Sequence, residues 1–257
     1  IMLASAAAGK TIIHNAACEP HVRGLCKMLT SLGVSIQGIG SNRLEIEGGK
    51  ALGGGTHTIG PDFMEVGSFL CLGAITEGKI KIDQVEPSDL RFTLKTLARI
   101  GIKPKIGKNF LEIDGSEALV MQKDIAGRIA TIYSGPWPAY PTDLMSVAIV
   151  AATQAKGTMI FHEKMFEGRL FFTDKLMAMG ANIVLCDPHR VVITGPASLK
   201  AAHMSSPDVR AGMALAMAAL IAEGKSEIQN VYQIERGYYR LDKKLNQLGA
   251  KIKRIEV

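Results

Sequence analysis

Four times along the chain an Ala-rich, apolar stretch of helical spacing runs into a glycine and a short β-type segment. A more polar helical stretch ending in a second glycine then follows. The first glycines close AAAGK, AITEGK, TQAKGT and LIAEGK, at Gly9, Gly78, Gly157 and Gly224. The second close LTSLGV, LARIGI, MAMGAN and NQLGAK, at Gly33, Gly101, Gly180 and Gly249. Within each unit the two glycines lie 23 to 25 residues apart, a constancy that marks an internal repeat. A helix commonly finishes on a residue at positive φ, so all of these glycines are expected to be C-terminal caps.

The segments after the first glycines (TIIHNA, KIKIDQ, TMIFHE, SEIQNV) and after the second (VSIQGIG, KPKIG, ANIVLCD, AKIKRIEV) are β-rich. In three units a further segment alternates with period two: RLEIEG, FLEIDG and VVITG. The predicted unit is therefore helix, strand, helix, strand, strand, at roughly 70 residues longer than a solenoid repeat. The stretch 48–60, GGKALGGGTHTIG, has no periodicity and matches neither the phosphate-binding GxxxxGK[ST] loop nor GxGxxG, so it reads as a crossing between domains. That predicts one incomplete unit with its linker in residues 1–60 and a three-unit domain in 61–257. The opening IMLASAAAGK reads as the second half of a helix, so a piece of a longer protein is expected.

Composition narrows the partners. With 257 residues, 47% hydrophobic and 21% charged, the chain is of ordinary globular type. The formal charge of +6 favours an anionic partner. The basic residues are scattered and aromatics make up only 5%, which argues against a nucleic-acid surface and for a small anion. The longest apolar runs, 144–152 and 213–222, fall short of the ~18–20 residues of a membrane span, so no membrane partner is expected. Cys18, Cys26, Cys71 and Cys186 show no CxxC spacing and no clustered histidines. Neither a zinc site nor a disulfide framework is suggested, as in a reducing cytoplasm.

Three units open with a proline and an aspartate: Pro61-Asp62, Pro141-Thr142-Asp143 and Pro207-Asp208. An aspartate at a helix start satisfies orphan amides and complements the helix dipole, so capping is the reading all three share. Asp143 differs in following SGPWPAYPT, a proline-stiffened strap holding the only tryptophan in the chain. Such a strap can fix a carboxylate with little side-chain search, as a general base requires. Arg169 and Arg236 each lie beside a glutamate, Glu167 and Glu235, and surface ion pairs with them are the default expectation.

Several stretches carry a resemblance: NAACEPHV, LEIEG, LGGG, GPWPAYPTD, FEGRLFF, PDVRAGMALAMAALIAEG and YQIERGYYRLDKKLNQLGA. With the repeated units, they resemble the enolpyruvyl transferase family, and within it the branch acting on UDP-N-acetylglucosamine. The resemblance implies an α/β fold, an inside-out α/β barrel of repeated units, in two domains that close on UDP-N-acetylglucosamine and phosphoenolpyruvate. The implied reaction attaches the enolpyruvyl group to the sugar 3-hydroxyl and releases phosphate, with no metal or organic cofactor. By motif, Asp143 would act as or close to the general base and Asp208 would lie near the reacting methylene. Arg169, Arg210 and Arg236 would face phosphoenolpyruvate, and Met165 would offer a backbone contact to the nucleotide sugar. The family's mobile loop, with its acid cysteine, would precede Ile1, so none of the four cysteines takes that role and this stretch alone is expected to be inactive. The chain departs from the family pattern at Phe63, Gly168, Cys18 and the residues 144–147 that follow the strap. The shikimate-phosphate enzyme of the same fold and a non-catalytic or RNA 3′-phosphate cyclase-like scaffold are the alternatives.

Overall fold

The computed structural model describes residues 1–255. The first unit comprises α1 (Met2–Ala6), β1 (Gly9–His14), α2 (Pro20–Ser31), β2 (Ser35–Gln37) and β3 (Arg43–Gly48). After residues 49–62, which carry no helix or strand, the second comprises α3 (Phe63–Ile75), β4 (Lys79–Asp83), α4 (Arg91–Ile100), β5 (Lys105–Ile106) and β6 (Phe110–Asp114). A bridging strand, β7 (Ala130–Tyr133), leads to α5 (Met145–Thr153), β8 (Gly157–His162), α6 (Thr173–Ala178), β9 (Asn182–Asp187) and β10 (Arg190–Gly195). Then come β11 (His203–Ser205), α7 (Val209–Ile221), β12 (Glu227–Gln229), α8 (Tyr232–Glu235) and α9 (Leu241–Gln247).

The first helices of the second, third and fourth units are apolar all round, and such a helix must be enclosed. Residues 66–75 of α3 and every residue of α5 are buried, and α3, α5 and α7 pack against one another in the middle of the large core. The sheets lie outside them. In each of the first three units the last strand is central and antiparallel to both companions, giving the orders β1-β3-β2, β4-β6-β5 and β8-β10-β9, with β7 added parallel to β8. Period-two alternation turns one face of each central strand inward, at Leu44 and Ile46, Leu111 and Ile113, and Val191 and Ile193. Helices inside and sheets outside are the inside-out α/β arrangement that the resemblance implies.

The first unit keeps its own small cluster of Leu29, Val34 and Ile46, apart from the large core. It touches the second unit through the Arg23–Asp89 ion pair and through His21, which stacks on Phe63 at 5.9 Å. Phe63 in turn meets the edge of Trp137 in the strap, with ring centroids 5.5 Å apart.

Two expectations are corrected. The second glycine of each unit does take positive φ just past its helix, but the first glycines do not close theirs. Two of the first helices are followed by extended residues, Ala7 and Ala222, and at the second unit Glu77, not Gly78, takes the positive φ. These glycines turn the chain into the next strand instead. The fourth unit also departs from the pattern, since 250–255 form no strand. The backbone of Ile252 is paired at both its N–H and its C=O with the side chain of Asn246, at 3.0 and 2.8 Å, in place of a ladder. Residues 256–257 of that expected strand lie outside the described residues.

Candidate active site

The starts of α5 and α7 and the segment after β8 border an open cleft of about 420 Å³, lined by Asp143, Phe166, Glu167, Gly168, Arg169, Asp208, Val209 and Arg210. Of the three equivalent aspartates, two are caps. Asp62 accepts from the N–H groups of Met64 and Glu65, and Asp208 accepts from those of Arg210 and Ala211 at 2.8 and 3.0 Å. Asp143 is not. It sits inside a single tight turn, Thr142–Leu144, ahead of α5, whose start has no side-chain cap. Its oxygens face arginines: Oδ1 lies 3.4 Å from Arg169 Nη2, and Oδ2 accepts from Arg210 Nε at 3.0 Å. The capping reading is therefore corrected for Asp143 and holds for Asp62 and Asp208.

The strap makes this placement possible. Its ends meet through the Gly135 N–H donating to the Tyr140 carbonyl at 3.0 Å, while the buried Tyr140 hydroxyl donates to the Leu144 carbonyl at 3.2 Å. Leu144 is buried against α3 at Gly67, where a Cβ would lie 2.7 Å from Leu144 Cδ1. Residues 144–147, which follow the strap, are all buried.

The guanidiniums are held by more than the carboxylate. Arg169 lies over Phe166 at 5.1 Å and Arg210 over Tyr238 at 5.6 Å, contacts in which a ring face attracts a cation. Burial works against the Arg210 charge, but the Tyr238 phenol and the Asp143 and Asp62 carboxylates outweigh it and raise the guanidinium above its ordinary value. Arg210 Nη1 is buried with no hydrogen-bond partner among the described residues, a donor that an anionic oxygen in the cavity would satisfy. A Cβ at Gly237 would come within 2.7 Å of Val209 Cγ2 and 3.4 Å of Arg210 Nη1, so only a glycine lets the IERG segment close on this corner.

The structure thus brings together Asp143, Asp208, Arg169 and Arg210. Arg236 is not in the lining; it is exposed and donates to Gln233 Oε1 at 3.2 Å. Met165 is exposed, and its N–H donates to Glu163 at 2.7 Å. The expected local ion pairs do not form, because Arg169 turns to Asp143 and Glu235 pairs with Arg254. Sequence reasoning passed over Glu163, which is fully buried and accepts from Ser134, Thr142 and Met165. The signal was present: alternation along β8 buries Met159 and Phe161, and Glu163 is the next position on that face.

Comparison with known proteins gives a consistent set of relatives. The sequence model of the EPSP synthase (3-phosphoshikimate 1-carboxyvinyltransferase) family matches residues 1–252. Two curated relatives named UDP-N-acetylglucosamine 1-carboxyvinyltransferase are similar over nearly the whole chain. The one from Borreliella burgdorferi is 54% identical over 256 residues, with all of this chain and 60% of the relative covered. The one from Bradyrhizobium diazoefficiens is 49% identical, with 99% and 59% covered. The chain spans about 60% of the length of the curated relatives it matches. Among solved structures, the enolpyruvyl transferase NikO from Streptomyces tendae superposes with a TM-score of 0.86 at 21% identity, covering 98% of this chain and 58% of that one. EPSP synthase from Acinetobacter baumannii superposes with a TM-score of 0.68 at 19% identity, covering 96% and 58%. These two likenesses show the fold.

Proposed function

The chain belongs to the EPSP synthase family of enolpyruvyl transferases, and from that premise we propose that the whole protein transfers the enolpyruvyl group of phosphoenolpyruvate to the 3-hydroxyl of UDP-N-acetylglucosamine. The reading rests on one observation above the others, a single carboxylate, Asp143, held between two guanidiniums on a cavity. The relatives carrying the name of that activity at about half identity support the choice of acceptor. In this reading residues 1–60 are the last unit of a partner domain with its linker, and 61–257 form the three-unit domain. The product is a peptidoglycan precursor, and the place of action is the bacterial cytoplasm.

Phosphoenolpyruvate carries a phosphate and a carboxylate, and planar guanidiniums suit both. Its approach gives Arg169 and Arg210 a richer partner than Asp143, with Arg210 Nη1 ready to donate. The Asp143 carboxylate is thereby released toward the sugar and takes the hydroxyl proton as the oxygen attacks C2 of phosphoenolpyruvate. The methylene gains a proton in that addition from an acid that the resemblance places outside this chain, and returns one to the acid's conjugate base in the elimination; the hydroxyl proton held by Asp143 leaves with the expelled phosphate, and the double bond is restored. Asp208 stays bound to the α7 amides and lies on the same cavity, where the methylene is expected. Arg236 joins the phosphate side when the substrates are bound.

The test is phosphate release by the whole protein with phosphoenolpyruvate and either UDP-N-acetylglucosamine or shikimate 3-phosphate. Release is expected with the nucleotide sugar. Release with shikimate 3-phosphate alone would sink the reading.

A further inference from the structure

Glu163 follows the last residue of β8 and is fully buried. An ionised carboxylate in such a place is costly unless its oxygens are hydrogen-bonded, and three donors meet it. Oε1 accepts from Ser134 Oγ at 2.8 Å and from the Met165 N–H at 2.7 Å, and Oε2 accepts from Thr142 Oγ1 at 2.5 Å. Ser134 opens the strap and Thr142 ends it, one residue before Asp143. Met165 begins the segment that carries Arg169 four residues later. Ser134 adds a second tie, its Oγ accepting from the Lys164 N–H at 2.9 Å.

Resting on the function proposed above, we infer that Glu163 is a positioning residue: it sets the separation of Asp143 from Arg169 and Arg210, and through it the alignment of the base with the acceptor hydroxyl. The carboxylate only accepts, so all three donors must point at it and neither hydroxyl can turn away while the contact lasts. Two loops that share no backbone hydrogen-bond ladder with each other at Asp143 are thereby referred to one fixed point at the end of a strand. A residue that served stability alone would change how much protein is folded. A positioning residue changes what each folded molecule does.

Three variants of the whole protein separate these roles. Glu163→Ala removes all three contacts. Thr142→Val, nearly isosteric, removes only the one beside Asp143. In Glu163→Gln the amide oxygen can take the place of Oε1, and the amide nitrogen can donate to Thr142 Oγ1, so the ties survive. Misplacement of a reacting group by about 1 Å costs on the order of 10²-fold. The expected outcome is therefore a kcat about 100-fold lower for Glu163→Ala and about tenfold lower for Thr142→Val, per folded molecule, with both KM values within about threefold. Glu163→Gln is expected to recover kcat to within about fivefold of the parent. A folded Thr142→Val or Glu163→Ala protein with kcat within about twofold of the parent overturns the inference. If Glu163→Ala does not fold, Thr142→Val decides. A crystal structure of Thr142→Val gives an answer free of the substrate. The Asp143 separations of 3.4 Å to Arg169 and 3.0 Å to Arg210 are expected to lengthen, and their persistence would refute the positioning role. If the parent protein transfers no enolpyruvyl group, the proposed function falls and this structure alone judges Glu163.

Discussion

Replacing Asp143 by asparagine keeps the shape of the site and removes its one carboxylate between two guanidiniums, which makes two opposite effects measurable in one protein. At an effective dielectric of about 20, each ion pair at 3.0–3.4 Å is worth about 5 kcal/mol of gross attraction. Most of that is offset by desolvation, and hydrogen bonds to charged groups contribute a net ~1.5–3 kcal/mol. The Asp143 side chain is 31% exposed and those of the arginines 17% and 15%, so a discounted loss of ~1–2 kcal/mol is expected. For a domain of this size that is a Tm lower by ~2–8 °C. If Asp143 is the base, as proposed, the substitution is expected to lower kcat by ~10²–10⁴. Yet the same substitution removes the negative charge that competes with phosphoenolpyruvate for Arg169 and Arg210. A gain of only ~1 kcal/mol makes the anion bind roughly fivefold tighter. Calorimetric titration of phosphoenolpyruvate into the whole Asp143→Asn protein reads the affinity, and phosphate release with both substrates reads the turnover. If the folded variant binds phosphoenolpyruvate tenfold more weakly, Asp143 does not compete for the arginines. If it turns over near the parent rate, it is not the base.

Asp208→Asn should keep the α7 cap, since asparagine caps as well as aspartate, whereas Asp208→Ala should cost ~1 kcal/mol in a denaturant titration. Turnover lost in both variants, with stability lost only in the second, would separate Asp208's part in the reaction from capping; full turnover in Asp208→Asn would deny the carboxylate that part. Gly67→Ala would place a Cβ 2.7 Å from the enclosed Leu144 Cδ1 and should destabilise by ~1–3 kcal/mol through overpacking, and an unchanged Tm would contradict that contact. The Asp114 carboxyl is held down to about 2, first by its hydrogen bond to Lys79 and then by Ser116. Because this folded value lies below the ordinary 3.8, its stabilisation is complete above about pH 4 and fades as the pH falls toward 2. Asp114→Asn should therefore flatten that part of an acid-unfolding curve, and an unaltered curve would count against the pairing. Burial pushes the Cys71 thiol up to about 12, while Cys186 is exposed. Mild alkylation of the native protein should label Cys186 and spare Cys71, as peptide mass spectrometry would show.

Much of the architecture was legible because burial imposes period. The all-round apolar helices had to be enclosed, and the alternating RLEIEG, FLEIDG and VVITG had to show one face to a core, so the repeated unit follows from spacing, whereas the inside-out closure of the units came from the family resemblance. What spacing does not carry is where a polar side chain sends its hydrogen bonds. The 250–255 segment has a strand's alternation, but Asn246 takes both backbone groups of Ile252. Arg169 and Arg236 look alike beside their glutamates, yet one side chain reaches Asp143 and the other stays at the surface. Those outcomes depend on contacts between residues distant in sequence.

The three Pro-Asp helix starts make the same point at the site itself. Capping needs the aspartate one position before the helix, with its oxygen over free amides, and Asp62 and Asp208 have that placement. At the third start the turn Thr142–Leu144 is inserted, so Asp143 lies ahead of where a cap would be and its oxygens have no amide to accept from. Left alone, such a turn would gain little, since a tight turn of this kind is short and poorly bonded. Here Glu163 holds Thr142 on one side, and Leu144 is fixed in the core against Gly67 on the other. The residue between two anchored neighbours has little freedom left, and the guanidiniums of Arg169 and Arg210 supply the partners that the helix does not. A repeated structural acid can thus be turned from a helix's amides to a pair of guanidiniums, the placement that the proposed chemistry needs, without a new residue type at its position. What changes is the anchoring of the residues on either side.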